Sequence, residues 1–309
     1  MSDDTKNMRR DFESREDLIA YLTEQFPAAA EINEHVSETF IGGRKAAEAR
    51  LAAIKPAAYA KTRNHLNGDV TRLSPYLRHG VLSLNEVRNA ALDKVKRLND
   101  AQKLIQELAW RDYFQRAYAE IGDGIWLDRE DYKTGFDADD YMDEMPEDIL
   151  TATTGECAVD SMVEELIETG YLHNHARMWL AAYVIHWRRV KWQAGAAWFL
   201  EHLLDGDPAS NNLSWQWGAS TFSHKPYFFN RSNFNKFSRG VYDCAEERNS
   251  VFAGSYEQLE RSLFPNKPPS EPQGQSGGKG KQGKGRNNRG RQQGRGRERG
   301  RGNGRSRRR

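Results

Sequence analysis

Cysteine is almost missing from this chain. Cys157 and Cys244 are the only two among 309 residues, and they form no CxxC. The spacing therefore supports neither a disulfide framework nor a zinc ribbon. No apolar run reaches the roughly 18 residues of a membrane span. The polar start MSDDTKNMRRDFESRED is no secretory signal. A cytoplasmic protein with no membrane partner is the expectation. No segment alternates polar and apolar residues as a half-buried strand does. No GxGxxG follows a strand-like segment, so a Rossmann dinucleotide site is not indicated. From Lys267 onward, aromatic and aliphatic residues disappear altogether.

What that tail does contain is charge. It holds four Lys and eleven Arg against Glu271 and Glu298, a net +13, inside a chain of formal net charge +2. The remainder, residues 1–266, then carries −11. A stretch such as GRGRERGRG cannot bury enough apolar surface to offset ordering entropy, so it reads as disordered. Its guanidinium density suits the phosphate of DNA or RNA, with no sequence specificity. A solubilising tail without a specific partner is the plainer alternative.

The body reads as all-α. Ser14 starts a cap-like Ser-x-x-Asp before Leu18, Ile19 and Leu22. Gly42–Gly43 leads into the alanine-rich RKAAEARLAAI, with Pro56 as its stop. Helices are expected over Leu82–Leu98, Ala101–Ala119, Val159–Ile167 with Gly170 at its end, Ala176–Trp192 and Ala194–Leu204. The acidic run Asp128–Asp148 reads as a solvated loop whose spacing fits no EF-hand.

Four segments could carry chemistry. Thr71, Arg72 and Ser74 sit just before a helix start, where hydroxyls, a guanidinium and free N–H groups suit an anion. An ordinary Ser–Pro helix cap explains the same residues. Glu107, Trp110 and Arg111 fall at i, i+3 and i+4, on one helix face. That face could bind a base by its edge, or it is a surface ion pair beside a core indole. His173 and His175 are spaced i, i+2, which puts them on different faces of a helix and argues against a metal. Finally, EHLLDGDPASNNLSWQWGAS (Glu201–Ser220) sets Asp205, Asp207, Asn211 and Asn212 beside Trp215 and Trp217. Carboxylates, amides and π-faces together suit a buried pocket for a flat, hydrogen-bonding ring.

These segments resemble, in order, blocks of the flavin-binding domain of DNA photolyases and cryptochromes. DGDPASNNLSWQWGAS resembles DGDxAxNNxxWQWxAS, TRLSPYL resembles TSRLSPYL, QELAWRDY resembles NELxWREF and TGYLHNHARM resembles TGWMHNRxRM. Tyr59-x-x-x-Arg63 resembles the family's YxxxR, and Ser220–Asn230 a shortened STGxxxxPYFRIFN. The likeness runs from about Phe40 to Ser238.

The resemblance implies FAD as cofactor and no metal. It implies an N-terminal helical extension over 1–39, a helical FAD-binding domain over 40–264 and the basic tail over 265–309. Only about 39 residues precede the flavin domain, so it implies that the family's N-terminal α/β antenna domain is lacking, with a separate antenna protein as a candidate partner. Tyr59, Val70 (where the family has threonine), Thr71, Arg72, Leu73, Ser74, Arg111, Arg177, Asp205, Gly206, Asp207 and Asn211 would hold the cofactor. Arg63, Glu107, Trp110, Asn174, His175 (an arginine in the family), Met178 and Trp217 would meet damaged DNA. Glu107, Asn211, Trp192 and Trp215 would act in the chemistry, with Trp215 and Trp192 as the first two electron carriers. The third carrier has no match, since Asp139 aligns there near Tyr141; Trp126 or a tyrosine would stand in.

The expected function is light-driven repair of pyrimidine dimers, as in deoxyribodipyrimidine photolyase. The rival is a cryptochrome-like FAD-binding light or redox sensor that binds nucleic acid without repair. A helical nucleic-acid binder that has lost flavin fits less well, because Arg177, Asp205, Asp207 and Asn211 are all present.

Overall fold

A computed structural model of the chain describes residues 8–32, 39–242 and 245–267. The basic tail beyond Lys267, and Cys244, lie outside the described residues. Helices carry the fold, and among the described residues the only β-type pairing is an isolated parallel bridge between Met142 and Val190. No helix in the described part is long and apolar enough to cross a membrane.

Local chemistry sets the first helices. The Ser14 hydroxyl accepts from the Asp17 N–H and starts α1 (Arg15–Gln25), followed by α2 (Pro27–Ile32). α3 (Arg44–Ala53) stops before Pro56, and Pro56 is itself the opening residue of α4 (Pro56–Thr62). Proline fits a first helical turn because the N–H it lacks would be unpaired there. α5 (Ser74–Arg78) is short. A reciprocal Ser83–Glu86 capping box starts α6 (Leu84–Asp93). α6 therefore ends five residues short of the expected Leu98, and that residue instead begins α7 (Leu98–Ile121). Ala47, Ile54, Leu73, Tyr76, Val87 and Leu104 close a small core among these helices.

The larger core belongs to the second half of the chain. It is filled by Met162, Leu166, Trp179, Leu180, Trp192, Trp198, Trp215 and Phe229. α8 (Glu147–Leu150) and α9 (Cys157–Thr169) precede α10 (Asn174–Ala182). Cys157 is disulfide-bonded, which the absence of a CxxC spacing did not suggest.

The expected continuous helix Ala176–Trp192 is broken. α10 gives way to a π-helical turn over Tyr183–Trp187, and Arg189 takes a left-handed φ of 53°. Two hydrogen bonds of 2.8 and 2.9 Å from Arg188 to Asp148 anchor the break to α8. The mostly apolar stretch over residues 178–187 carries little periodicity to mark such an interruption, and π-turns often occur at functional positions. The chain restarts as α11 (Trp192–His202) and α12 (Pro208–Ala219). α13 (Arg231–Ser238) and α14 (Tyr256–Leu263) follow. The acidic run is mostly loop, with a 3-10 turn at Ala138–Asp140.

Candidate functional site

Asp205 and Asp207 are both buried, at the turn between α11 and α12. Buried carboxylates need partners. Arg177, one turn into α10, reaches Asp205 Oδ2 through Nη2 at 2.9 Å and fixes its own Nε on the Leu172 carbonyl at 2.8 Å. Burial works against the Arg177 charge, but Asp205 more than offsets it and raises the pKa. The other Asp205 oxygen, Oδ1, is buried without a hydrogen-bond partner.

Asp207 is the N-cap of α12 and is clasped from α7. Gln115 Nε2 lies 2.8 and 2.7 Å from its two oxygens, Ser210 Oγ donates to it, and Arg111 stands at 3.6 Å. Burial pushes its pKa up, yet the bonds from Ser210 and Gln115 and the Arg111 charge outweigh this and hold it below the ordinary carboxylate value. Gly206 between them leaves no room for a side chain, since an added Cβ would meet the Leu203 carbonyl oxygen at 3.0 Å. Asn211 donates to the Ala196 carbonyl at 2.9 Å and to Asn212 Oδ1 at 3.1 Å. The Asn212 amide nitrogen is buried and unpartnered.

The Thr71–Ser74 loop is tied to the same place through Tyr171. The guanidiniums of Arg72 and Arg177 stand 5.7 and 5.3 Å from that ring's centroid. Arg72 has a left-handed φ of 50°, a conformation uncommon outside glycine. A cavity of about 170 Å³ is lined by residues that include Arg50, Lys55, Asp69, Val70, Thr71 and Arg72. Tyr59 is mostly buried nearby; desolvation, reinforced by the Glu107 charge, raises its pKa to about 12. Leu73 belongs to the small core.

The α7 face pairs more tightly than its spacing suggested. Glu107 is held by Lys103 at 2.8 Å and by Arg63 at 3.4 Å. Trp110 is 48% exposed and Trp217 43% exposed, large values for indoles. Trp217 lies 5.3 Å from the ring of Tyr227. Asn174 and Met178 occupy one face of α10, with Asn174 Nδ2 3.8 Å from the Met178 sulfur. His175 is buried against Trp179 and Phe237, and burial lowers its pKa to about 4. It is therefore neutral at physiological pH, unlike an arginine. His173 caps α10 by accepting the His175 N–H at 3.1 Å, and its Nε2 is left buried and unpartnered. Among the described residues no cluster of three His, Cys, Asp or Glu could hold a metal ion.

Trp215 and Trp192 are both buried in the larger core. Trp215 packs edge-on against Phe199 at 4.9 Å and its indole N–H has no partner. Trp126 stacks on Trp192 at 6.4 Å with planes 8° apart, and the Trp192 N–H meets Asp128 Oδ1 at 2.6 Å. Tyr141 instead stacks on Tyr132, and Asp139 lies in the 3-10 turn.

Three of these residues escaped the sequence reading. Gln115 had a signal: it lies four residues beyond Arg111 and eight beyond Glu107, on the same helical stripe. Lys103, four before Glu107, had the same one. Tyr171 lies within TGYLHNHARM but had no role assigned there, because only folding places its ring between Arg177 and the distant Arg72.

The residues fit an FAD: a buried clasp that leaves an Asp205 oxygen and an Asn212 amide unpaired offers an acceptor and a donor to a polar ring. Known proteins agree. Residues 104–243 match the sequence model of a family described as the FAD binding domain of DNA photolyase. The chain is 36% identical over 166 residues to a deoxyribodipyrimidine photo-lyase from Streptomyces griseus, covering 53% of this chain and 35% of that protein. It is 31% identical over 194 residues to a rice cryptochrome DASH, covering 58% and 32%. A solved cryptochrome from Synechocystis shares the fold with a TM-score of 0.60 at 23% identity, covering 75% of this chain and 53% of that one. The chain thus spans about a third of the length of these curated relatives.

Proposed function

We propose that this chain, of which residues 104–243 match the FAD binding domain of DNA photolyase, is a light-driven DNA repair flavoprotein acting on pyrimidine dimers. The observation that carries this reading is the double carboxylate clasp, Arg177–Asp205 beside Gln115–Asp207–Arg111, buried and with polar atoms left over. Asp205, Gly206, Asp207, Arg111, Arg177 and Asn211 would hold the ring system. Tyr59, Val70, Thr71, Arg72, Leu73 and Ser74 would hold the diphosphate, with the backbone supplying the contact at Val70 and Leu73. When bound, FAD supplies the photochemistry, namely the electron that splits the dimer.

The chain's own work is placement. A dimer has to leave the duplex, at a few kcal/mol of unstacking. Trp110 and Trp217 present exposed indole faces against which it would stack. Glu107 would accept from its base edges, and Asn174 and Met178 would line the opposite wall. Arg63 would meet a phosphate. The buried clasp would help to keep water from the cofactor ring, and the Asn211 amide, held on the Ala196 carbonyl, would be fixed in orientation toward it. Trp215 and Trp192 would return electrons, with Trp126 as the outer member. The Arg/Gly tail would add non-specific contact to DNA or RNA phosphate, opposing the net −11 of the body. A separate antenna protein would be a further partner.

The test is blue-light splitting of a thymine-dimer oligonucleotide by the fully reduced protein. No light-dependent splitting would sink the repair reading. The cryptochrome-like sensor is favoured by one observation: His175 is buried and neutral, so that position offers no cation to DNA. That reading expects reversible photoreduction without turnover.

A further inference from the structure

A carboxylate at hydrogen-bond distance from an indole N–H is an uncommon partner for a buried tryptophan. Trp192 has no exposed surface, yet its N–H points at Asp128, which is exposed. The contact is 2.6 Å, short for an N–H donor to a carboxylate. On its face, the same indole carries the nearly parallel ring of Trp126, which is only partly buried. Gln193 donates to both ends of this group, to the Trp126 carbonyl at 3.4 Å and to Asp128 Oδ1 at 3.3 Å.

Each feature acts on an oxidised indole. Loss of an electron makes the ring a cation and its N–H strongly acidic. A carboxylate at that N–H stabilises the cation by Coulomb attraction, tempered here because Asp128 faces solvent. It is also a base in place, within the reach required of a proton acceptor. A stacked second indole spreads the charge. Other groups facing Asp128 are the Lys191 ammonium, held mainly by Asp143 at 2.6 Å, and the buried Tyr132 hydroxyl, whose pKa is raised by its own burial and then by Asp128. Neither is a proton acceptor at neutral pH.

We propose that Asp128 is the proton acceptor for oxidised Trp192, and that the Trp126–Trp192 stack with this carboxylate is where the oxidising equivalent comes to rest. The proposal rests on the electron-donor role given to Trp192 above. One electron leaves the Trp192 indole for its oxidant, a photoexcited oxidised flavin. The N–H proton moves along the existing hydrogen bond to the Asp128 carboxylate, leaving a neutral indolyl radical and a carboxylic acid open to solvent. Asp128 then releases the proton to water, and an external thiol returns the electron and proton to the indole. Asp128 is thus a positioning and proton-accepting residue that acts through Trp192.

The test uses the full-length protein in two arms. In the first, flavin-loaded protein is flashed with blue light and tryptophan radicals are followed by transient absorption, which separates the protonated from the neutral form. In the second, azide radicals oxidise the protein without light, in a Trp110→Phe, Trp217→Phe background that removes two exposed indoles. The native Asp128 protein should yield the neutral radical. Asp128→Asn should yield the protonated one, decaying about tenfold faster, as expected for loss of one charge-assisted hydrogen bond. Asp128→Glu should restore the neutral form, and unchanged circular dichroism and melting temperature identify folded variants. Trp126→Phe should shorten the radical lifetime without changing its protonation. The same radical form and lifetime in Asp128→Asn as in the native protein, in the azide arm, overturns the proposal. Asp128-dependent protonation in the azide arm with no radical after the flash supports Asp128 as acceptor and removes Trp192 from the flavin's electron path.

Discussion

At the scale of single residues, the site depends on how two buried carboxylates are partnered. Asp205 relies on one guanidinium, whereas Asp207 relies on several weaker donors, of which Gln115 touches both oxygens. Replacing that amide with a side chain of similar volume isolates its role. Gln115→Leu should raise the Asp207 pKa and lower FAD occupancy, with binding about tenfold weaker or more, the usual value of a hydrogen bond to a charged group. Flavin-to-protein ratio and a fluorescence titration measure it; unchanged affinity would show that Asp207 does not contact the cofactor. Asp205, Asp207, Arg111 and Arg177 could be named from the sequence because they fall in blocks that resemble those of the flavin-binding family. Gln115 was passed over despite sharing the stripe of Glu107 and Arg111, because an uncharged amide on a helix is ordinary at the surface.

At the scale of elements, the fit between α11 and α12 fixes the tryptophans. Gly195 on α11 lies under the Trp215 ring, and a Cβ there would stand 2.3 Å from its Cη2. Gly195→Ala must therefore displace the indole. Overpacking of this kind costs about 1–3 kcal/mol. A lower denaturant midpoint and a shifted tryptophan emission are expected, and a variant as stable as the parent would contradict the packing. The helices with clear caps and stripes were legible: the start at Ser14, the stop of α3 before Pro56 and the end of α9 at Gly170 are local events. The π-turn at Tyr183–Trp187 was not, because the apolar run around it reads as one helix and the break is anchored by Asp148, some forty residues earlier.

At the scale of the molecule, buried histidines tie stability to pH. Burial lowers the pKa of His173, His175 and His186 to about 4 each. Unfolded, they titrate near 6.5. Between these values the unfolded chain binds more protons, so stability rises with pH there. It should be complete above about pH 6.5 and fall as the pH drops toward 4, by up to about 1.4 kcal/mol per pH unit for each histidine. Glu156, whose pKa is raised by burial, works in the opposite sense. Melting temperatures measured from pH 7.5 to 5 should decrease; a flat or rising profile would mean these rings are solvated in the folded state.

By itself, the sequence determined the helical class, the charge split between body and tail, and an ordered set of motifs that resembles a flavin-binding domain. These are properties of residue type and spacing along one chain, governed by local propensity and by chemistry with few substitutes. Tertiary structure decided which motif residues are engaged and with what: Glu107 with Lys103 and Arg63, Asp207 with Gln115, His175 turned into the core, and Trp192 set between Trp126 and Asp128. Most of those contacts join residues tens of positions apart. Only the packing of helices around a shared core sets such distances, and no periodicity within a helix records its neighbours.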